Sequence, residues 1–172
     1  MLDANNRTVT RDETAHIDDV DRAIIRHLQE DGRIAYAKLA PRVGLSAEAV
    51  RQRVNRLLDE GIVQIVGVTD PLRLGFAVHA WILIRASSDL SVVAERIAQI
   101  SDIDFVVITT GRFDIMAEAI CEDASRFLEV LNELRSIEGV ASSEAFNFLR
   151  QVKGTFEWGT PGEVPLPDGS PV

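Results

Sequence analysis

The sequence predicts an α+β protein in which an N-terminal winged helix-turn-helix domain is joined by a strand linker to a ferredoxin-like βαββαβ domain. Three observations predict this architecture. A capped amphipathic helix with a basic outer surface begins after Ser46, a β-rich segment follows Gly61, and apolar strand-like segments alternate with amphipathic helices beyond residue 77. The predicted boundaries are a polar, mobile N-terminal arm at 1–16, the helix-turn-helix domain at 17–61, the strand linker at 62–77, the βαββαβ domain at 78–153 and a C-terminal tail rich in Pro and Gly at 154–172.

Two helices precede the turn of the N-terminal domain. Apolar residues at helical spacing predict helix 1 over about 18–30, with aspartates crowding its positive end. Helix 2 is expected over about 36–42, and it should be short or bent because Ala35 is a poor cap and Pro41 removes a backbone hydrogen bond. A turn at Gly44 then leads to a second capped helix, which is the order of elements in a helix-turn-helix.

The helix that follows Ser46 carries the main functional prediction. Ser46 is a good N-cap, and Val50, Val54 and Leu57 fall on one stripe with the spacing of a buried face. Gln52 points away from that stripe, and arginines with no nearby acid are expected beside it. Such a helix suits the DNA major groove, where Gln can read adenine and Arg can bind guanine or phosphate, although an ordinary surface helix with solvated arginines is the plainer alternative. The residues expected to contact base edges are Ser46, Glu48, Ala49 and Gln52, and those expected to contact phosphates are Arg51, Arg53 and Arg56.

The second half of the chain alternates strands and helices. Strands are predicted at about 78–86, 105–109, 113–120 and 139–153. Ser88 or Asp89 caps the helix after the first strand, and Asp123 caps the helix after the third. The resulting order, β-α-β-β-α-β, is the split βαβ pattern of ferredoxin-like domains.

The strands of this domain are apolar on both faces. Ile82 and Ile84 alternate with Trp81 and Leu83, yet the βαββαβ order places both helices on the same face of the sheet. A bare apolar face would expose too much hydrophobic surface for a soluble monomer. We therefore expect a homodimer that packs sheet against sheet, which would also present two recognition helices to one pseudo-palindromic DNA site.

Composition excludes several classes of protein. The formal net charge of the 172 residues is −9, so the chain is no basic coat protein, and its positive charge is concentrated in residues 42–56. Cys121 is the lone cysteine and the three histidines are scattered, so we predict neither a disulfide nor a metal site, and no cofactor. The polar N-terminus and the lack of an apolar run of roughly 20 residues predict a cytoplasmic protein without a membrane partner.

Several motifs occur in a characteristic series. They are DRAIIRHLQEDGR at 21–33, VGLS at 43–46, VRQRV at 50–54, GIV at 61–63 and TGRFD at 110–114. In this order and spacing they resemble the Lrp/AsnC, or feast/famine, family of bacterial and archaeal transcriptional regulators, over about residues 17–153. The resemblance implies a regulator that binds double-stranded DNA, takes an amino acid or related small effector in its C-terminal domain, and assembles from dimers into octamers or other higher rings.

The resemblance also implies an effector site. In the family the effector lies near a Thr-Gly-x-aromatic-Asp loop and against the last strand, between dimers. Gly111 would let backbone amides approach a carboxylate, and Asp114 could accept from an ammonium group, whereas an ordinary hairpin turn is the alternative. The family often has two hydroxyls on the last strand, but Ala145 stands at the second position here. The residues assigned to the effector in this way are Thr110, Gly111, Arg112, Phe113, Asp114 and Ser143.

Two other functions remain as alternatives to a ligand-modulated regulator. One is an architectural protein that wraps DNA around an oligomer with little sequence preference. The other is an enzyme that resembles these regulators but acts on a haem precursor, for which only His79, Arg85 and Arg112 are candidate residues. The sequence contains no recognisable nucleophile–base pair or paired carboxylates for acid–base chemistry, so we predict that the protein is not an enzyme.

Overall fold

A computed structural model of the chain describes residues 16–153. The predicted arm at 1–16 and the tail at 154–172 lie outside these residues, apart from His16. The described residues divide into two compact units, with the boundary between Gly67 and Val68. Within the described range, no helix has both the length and the apolar character needed to cross a bilayer.

Over residues 16–67 the first unit is a helix-turn-helix of three α-helices. Its helices are α1 (Asp19–Glu30), α2 (Tyr36–Leu39) and α3 (Ala47–Asp59). A single 3-10 turn over Ala40–Arg42 continues α2, as expected for a segment with Pro41 and no side-chain cap at Ala35. The turn between α2 and α3 passes through Gly44, whose φ of 69° is left-handed. Among the described residues of this unit, the fully buried side chains are Ile24, Leu39, Val50, Val54 and Leu57.

The predicted strand linker is wrong. Residues 63–70 have neither helical nor strand structure, and a short helix, α4 (Pro71–Leu74), occupies the second half of the segment. The β-branched residues Ile65, Val66 and Val68 are 47%, 62% and 59% exposed. A strand needs a ladder partner, and residues 16–153 of this chain supply none there. The same applies to the predicted wing, because the described residues of the first unit contain no strand.

The second unit is the predicted βαββαβ domain. Its strands form one antiparallel sheet in the order β2-β3-β1-β4. Asp89 and Asp123 accept backbone N–H groups at the starts of the two helices, which confirms both expected caps. The last strand is shorter than the predicted 139–153. The elements in chain order are β1 (Val78–Ala86), α5 (Leu90–Ile97), β2 (Ile103–Ile108), β3 (Ile115–Cys121), α6 (Ala124–Ser136) and β4 (Val140–Asn147).

The two faces of the sheet differ in burial. On one face, residues such as Ile82, Ile84 and Ala117 are fully buried together with the inward side chains of α5 and α6. We call the other side the open face. The strand register assigns to it His79, Trp81 and Leu83 of β1, Met116, Glu118 and Ile120 of β3, Phe105 and Val107 of β2, and Glu144 and Phe146 of β4. The sheet is therefore apolar on both sides, as the sequence predicts.

Candidate functional site

Helix α3 has the buried back and polar front that the sequence predicts. The Ser46 hydroxyl accepts the Ala49 N–H at 3.2 Å, which satisfies one of the unpaired donors of the first turn. Val50, Val54 and Leu57 are 0% exposed. After Asp59 the chain turns at Gly61, whose φ of 68° ends the helix as expected. The cap and the buried stripe fix which side of α3 faces solvent.

The exposed front of α3 holds three of the predicted DNA contacts, namely Glu48, Arg51 and Gln52. Arg51 donates to both Glu48 oxygens, at 2.6 and 3.0 Å, and Gln52 donates to the same carboxylate at 3.4 Å. The guanidinium of Arg51 lowers the pKa of Glu48. Both side chains of the ion pair are more than half exposed, so the pair is weak and easily exchanged for other partners.

Arg53 and Arg56 are not free of acids, which corrects the expectation from the sequence. Asp21 of α1, only 1% exposed, accepts from Arg53 at 2.8 Å and from Arg56 at 2.5 Å. Arg53 also donates to Asp18, the N-cap of α1, at 2.6 Å. The Asp21 backbone N–H and the Arg53 guanidinium together lower the pKa of Asp18 to about 2. Helical spacing could not reveal these pairs, because they join residues more than thirty positions apart.

A shallow cleft accompanies these ion pairs. It has a volume of about 350 Å³ and is lined by His16, Asp18, Asp21, Gln52, Arg53 and Arg56. Its two arginines face two aspartates, so the charges of these four side chains cancel. Gln52 therefore lies between the exposed front of α3 and the flank on which Arg53 and Arg56 form ion pairs with the two aspartates.

The Thr-Gly-x-aromatic-Asp loop lies between β2 and β3. Thr110, Gly111 and Arg112 are exposed, and Gly111 has a φ of 123°. The Arg112 guanidinium lies 5.7 Å from the centre of the Phe113 ring, within the range of a cation–π contact. The tip of the loop is thus accessible to a ligand.

Asp114 has a structural function that the sequence did not predict. Its carboxylate accepts the Ala86 N–H at 2.9 Å, where the pairing of β1 with β4 shifts register. Its own N–H donates to the Ile84 carbonyl. Ser143 pairs with the same Ile84 from the other side, and its hydroxyl accepts from Arg135 at 3.3 Å. The fold thus places Asp114 and Ser143 on either side of one β1 residue, and each side chain already has a partner in the chain.

The candidate residues for an enzyme are not arranged as a catalytic group. His79 bonds Glu118 at 2.5 Å on the open face, and its ring stacks on Phe148 with centroids 4.0 Å apart. Arg85 lies six residues further along β1, which separates the two backbones by roughly 20 Å. Among residues 16–153, no cluster of three or more His, Cys, Asp or Glu side chains could hold a metal ion.

Comparison with known proteins supplies the family. Residues 17–58 match the AsnC-type helix-turn-helix domain, and residues 79–158 match the Lrp/AsnC ligand binding domain. An HTH-type transcriptional regulator of Pyrococcus horikoshii is 32% identical over 155 residues, which are 88% of this chain and 96% of the relative. The chain belongs to the Lrp/AsnC family. The resemblance seen in the motifs is therefore confirmed.

Further relatives agree in sequence and in fold. The leucine-responsive regulatory protein of Rhizobium meliloti is 29% identical over 80% of this Lrp/AsnC chain and 92% of its own length. The structure of E. coli AsnC has a TM-score of 0.71 at 27% identity, covering 81% of this chain and 97% of AsnC. A transcriptional regulator of Neisseria meningitidis, solved as an L-Met complex, has a TM-score of 0.72 at 27% identity. The match covers 85% of this chain and 97% of the Neisseria chain.

These matches give the protein its general function. It is an Lrp/AsnC-type transcriptional regulator with a helix-turn-helix domain and a ligand-binding domain. The relatives named by function are regulators rather than enzymes, which confirms the prediction that this chain is not an enzyme.

Proposed function

We propose that this Lrp/AsnC regulator binds double-stranded DNA sequence-specifically through α3 and that an amino acid modulates its binding or its assembly. The observation that carries the proposal is the two-sided character of α3. Its back is fully buried, so only the front with Glu48, Arg51 and Gln52 can enter a groove. An exposed amide beside an exposed guanidinium is suited to reading base edges and contacting phosphate. Ser46 and Ala49 start the same helix, where base edges are usually met.

Fluorescence anisotropy on a duplex from the gene's own upstream region, against random DNA, tests this proposal. Gln52→Ala should lower the preference for the upstream duplex by roughly 5- to 150-fold, the range for losing one base-reading pair. Arg51→Ala should weaken binding to both duplexes alike and lower the slope of log affinity against log salt concentration by roughly one. Gln99→Ala, which removes an exposed amide from the other unit, is the matched control. Equal losses of affinity for the two duplexes in Gln52→Ala would refute the assignment of Gln52 as a residue that reads base edges.

The open face supports a homodimer. Phe105, Val107 and Phe146 are 47%, 36% and 50% exposed there, and Trp81 lies between them with its ring 5.9 Å from that of Phe105. A second copy would bury this surface by packing sheet against sheet, and dimers could then build higher oligomers such as an octamer.

Sedimentation velocity tests the proposed dimer. Phe146→Asp should reduce the sedimentation coefficient to that of a smaller species, because a charge would have to be buried in the interface. Leu128→Asp is the control, since Leu128 is 57% exposed on α6, away from the open face. An unchanged oligomer for Phe146→Asp, or an equal effect of Leu128→Asp, would contradict a dimer through this face.

We assign the effector to the loop at 110–114 and to the neighbouring Ser143. The Neisseria relative solved with L-Met supports an amino acid as the class of ligand. Calorimetric titration with a panel of amino acids tests the assignment, and Arg112→Ala should weaken an acidic effector more than a neutral one. If no amino acid binds, Ala145 and the internal partners of Asp114 and Ser143 favour a regulator without this effector. A footprint that spreads over many helical turns without a consensus would instead favour the architectural function.

A further inference from the structure

One carboxylate in the helix-turn-helix unit is buried. Asp21 is 1% exposed and is the only charged residue in the buried class between residues 16 and 153. It accepts three donors, namely Arg53, Arg56 and the backbone N–H of Asp18 at 3.2 Å. The Asp18 carboxylate completes the group by accepting the Asp21 N–H at 2.7 Å. We call Asp18, Asp21, Arg53 and Arg56 the clamp.

The energetics of the clamp restrict what its arginines can do. A buried carboxylate is tolerated only when its charge and lone pairs are satisfied. If Arg53 or Arg56 moved to a DNA phosphate, Asp21 would remain buried with an uncompensated charge. Arg51 differs, because its partner Glu48 is 58% exposed and water can replace the guanidinium at little cost.

The geometry also connects the clamp to Gln52. Arg53 and Arg56 are one helical turn apart, so together they hold one flank of α3 against the start of α1. The buried stripe of Val50, Val54 and Leu57 is apolar and sets how deep α3 lies, but apolar contacts are non-directional. Directed hydrogen bonds on the flank restrict rotation of the helix about its own axis, and that rotation determines where Gln52 points.

We propose that Asp21 is the positioning residue of the DNA-binding helix. Its carboxylate holds Arg53 and Arg56 in the free and DNA-bound protein, so these two arginines orient α3 and do not neutralise phosphates. Sequence discrimination then depends on Asp21 although Asp21 touches no DNA. This inference rests on the proposed DNA binding, and it replaces the phosphate contacts that the sequence suggested for Arg53 and Arg56.

The decisive variant is Asp21→Asn, measured by the same anisotropy assay at several salt concentrations. A positioning residue predicts that preference for the upstream duplex over random DNA falls about tenfold, whether or not the released arginines raise the affinity for all DNA. If Asp21 only competes with phosphates for the arginines, the variant should bind all DNA more tightly and with a steeper salt slope, and its preference for the upstream duplex should stay unchanged. That result would overturn the proposal.

Two further variants check that the effect of Asp21→Asn comes from the clamp. Asp19→Asn makes the same charge change two residues before Asp21, on a side chain that is fully exposed, and it should leave the preference unchanged. Arg56→Gln replaces the arginine with an uncharged side chain, so an unchanged salt slope supports the clamp. A fall of roughly one in that slope would identify Arg56 as a phosphate contact and refute it.

A measurement without DNA separates failure of the clamp from failure of the proposed function. Held guanidinium groups rotate slowly, so the NMR side-chain signals of Arg53 and Arg56 should be protected in the native full chain. They should lose that protection in Asp21→Asn but keep it in Asp19→Asn. Absent protection in the native protein would overturn the clamp even if DNA binds, whereas protection without selective DNA binding would refute only the proposed function.

Discussion

Two glycines of the ligand-binding unit allow a sharp test of the packing. Both have positive φ, 98° at Gly139 and 123° at Gly111. A Cβ at Gly139 would lie 2.7 Å from Val93 Cγ2 and 2.1 Å from the Ser88 hydroxyl oxygen, whereas a Cβ at Gly111 would meet nothing within 4 Å. Comparing alanine variants at these two positions therefore separates the cost of backbone strain from the cost of steric overlap.

Gly111→Ala should lower the free energy of unfolding by about 1–2 kcal/mol, the usual cost of a left-handed alanine. Gly139→Ala carries the same strain and adds overpacking, which typically costs about 1–3 kcal/mol, so its total should be about 2–5 kcal/mol. Ser88 can rotate its hydroxyl group away from the new Cβ. Val93 cannot move its methyl group in this way, because it is fully buried and its branched Cβ restricts its rotamers.

Urea unfolding followed by Trp81 fluorescence measures both changes, since Trp81 lies in β1 of the same unit. Val93→Ala combined with Gly139→Ala should show a favourable coupling, because the offending methyl group is then absent. Equal losses in the free energy of unfolding for the two single glycine variants would refute the steric argument. The same conclusion would follow if the double variant were simply additive.

The other predictions concern caps and ionisable groups. Ser46→Ala should destabilise the helix-turn-helix unit by about 1 kcal/mol in urea unfolding, because the Ala49 N–H loses its partner. The pKa of Asp18 is lowered to about 2 from 3.8, so its contribution to stability is complete above about pH 4 and is lost as the pH falls towards 2. Acid titration by circular dichroism should show that loss in the native protein and not in Asp18→Asn. Burial raises the pKa of Cys121 to about 11, so a thiol reagent at pH 8 should modify it only after unfolding.

Local signals in the sequence predicted most of the fold. The Ser46 cap and the stripe behind it are short-range features, and they fixed both the start of α3 and its buried side. The order of strands and helices followed from apolar runs separated by Asp89 and Asp123. These features could be predicted because each depends on residues within one or two turns of one another.

Features that depend on distant or external partners were not predicted. The segment at 62–68 has the composition of a strand, but a strand forms only where another strand pairs with it. The pairing of Arg53 and Arg56 with Asp21 depends on the crossing of α1 and α3, which no helical periodicity encodes. Asp114 was expected at a ligand, yet a register shift in β1 leaves the Ala86 N–H for it to satisfy.

The acidic partners along α3 affect how such a regulator would search a genome. Every arginine predicted to contact DNA already has a carboxylate beside it, so the helix approaches DNA with little unneutralised charge. Attraction to random DNA comes mainly from the release of counterions by unpaired basic groups. Encounters with wrong sites should therefore be brief, and the protein would spend its time in solution between trials instead of sliding for long distances along the duplex.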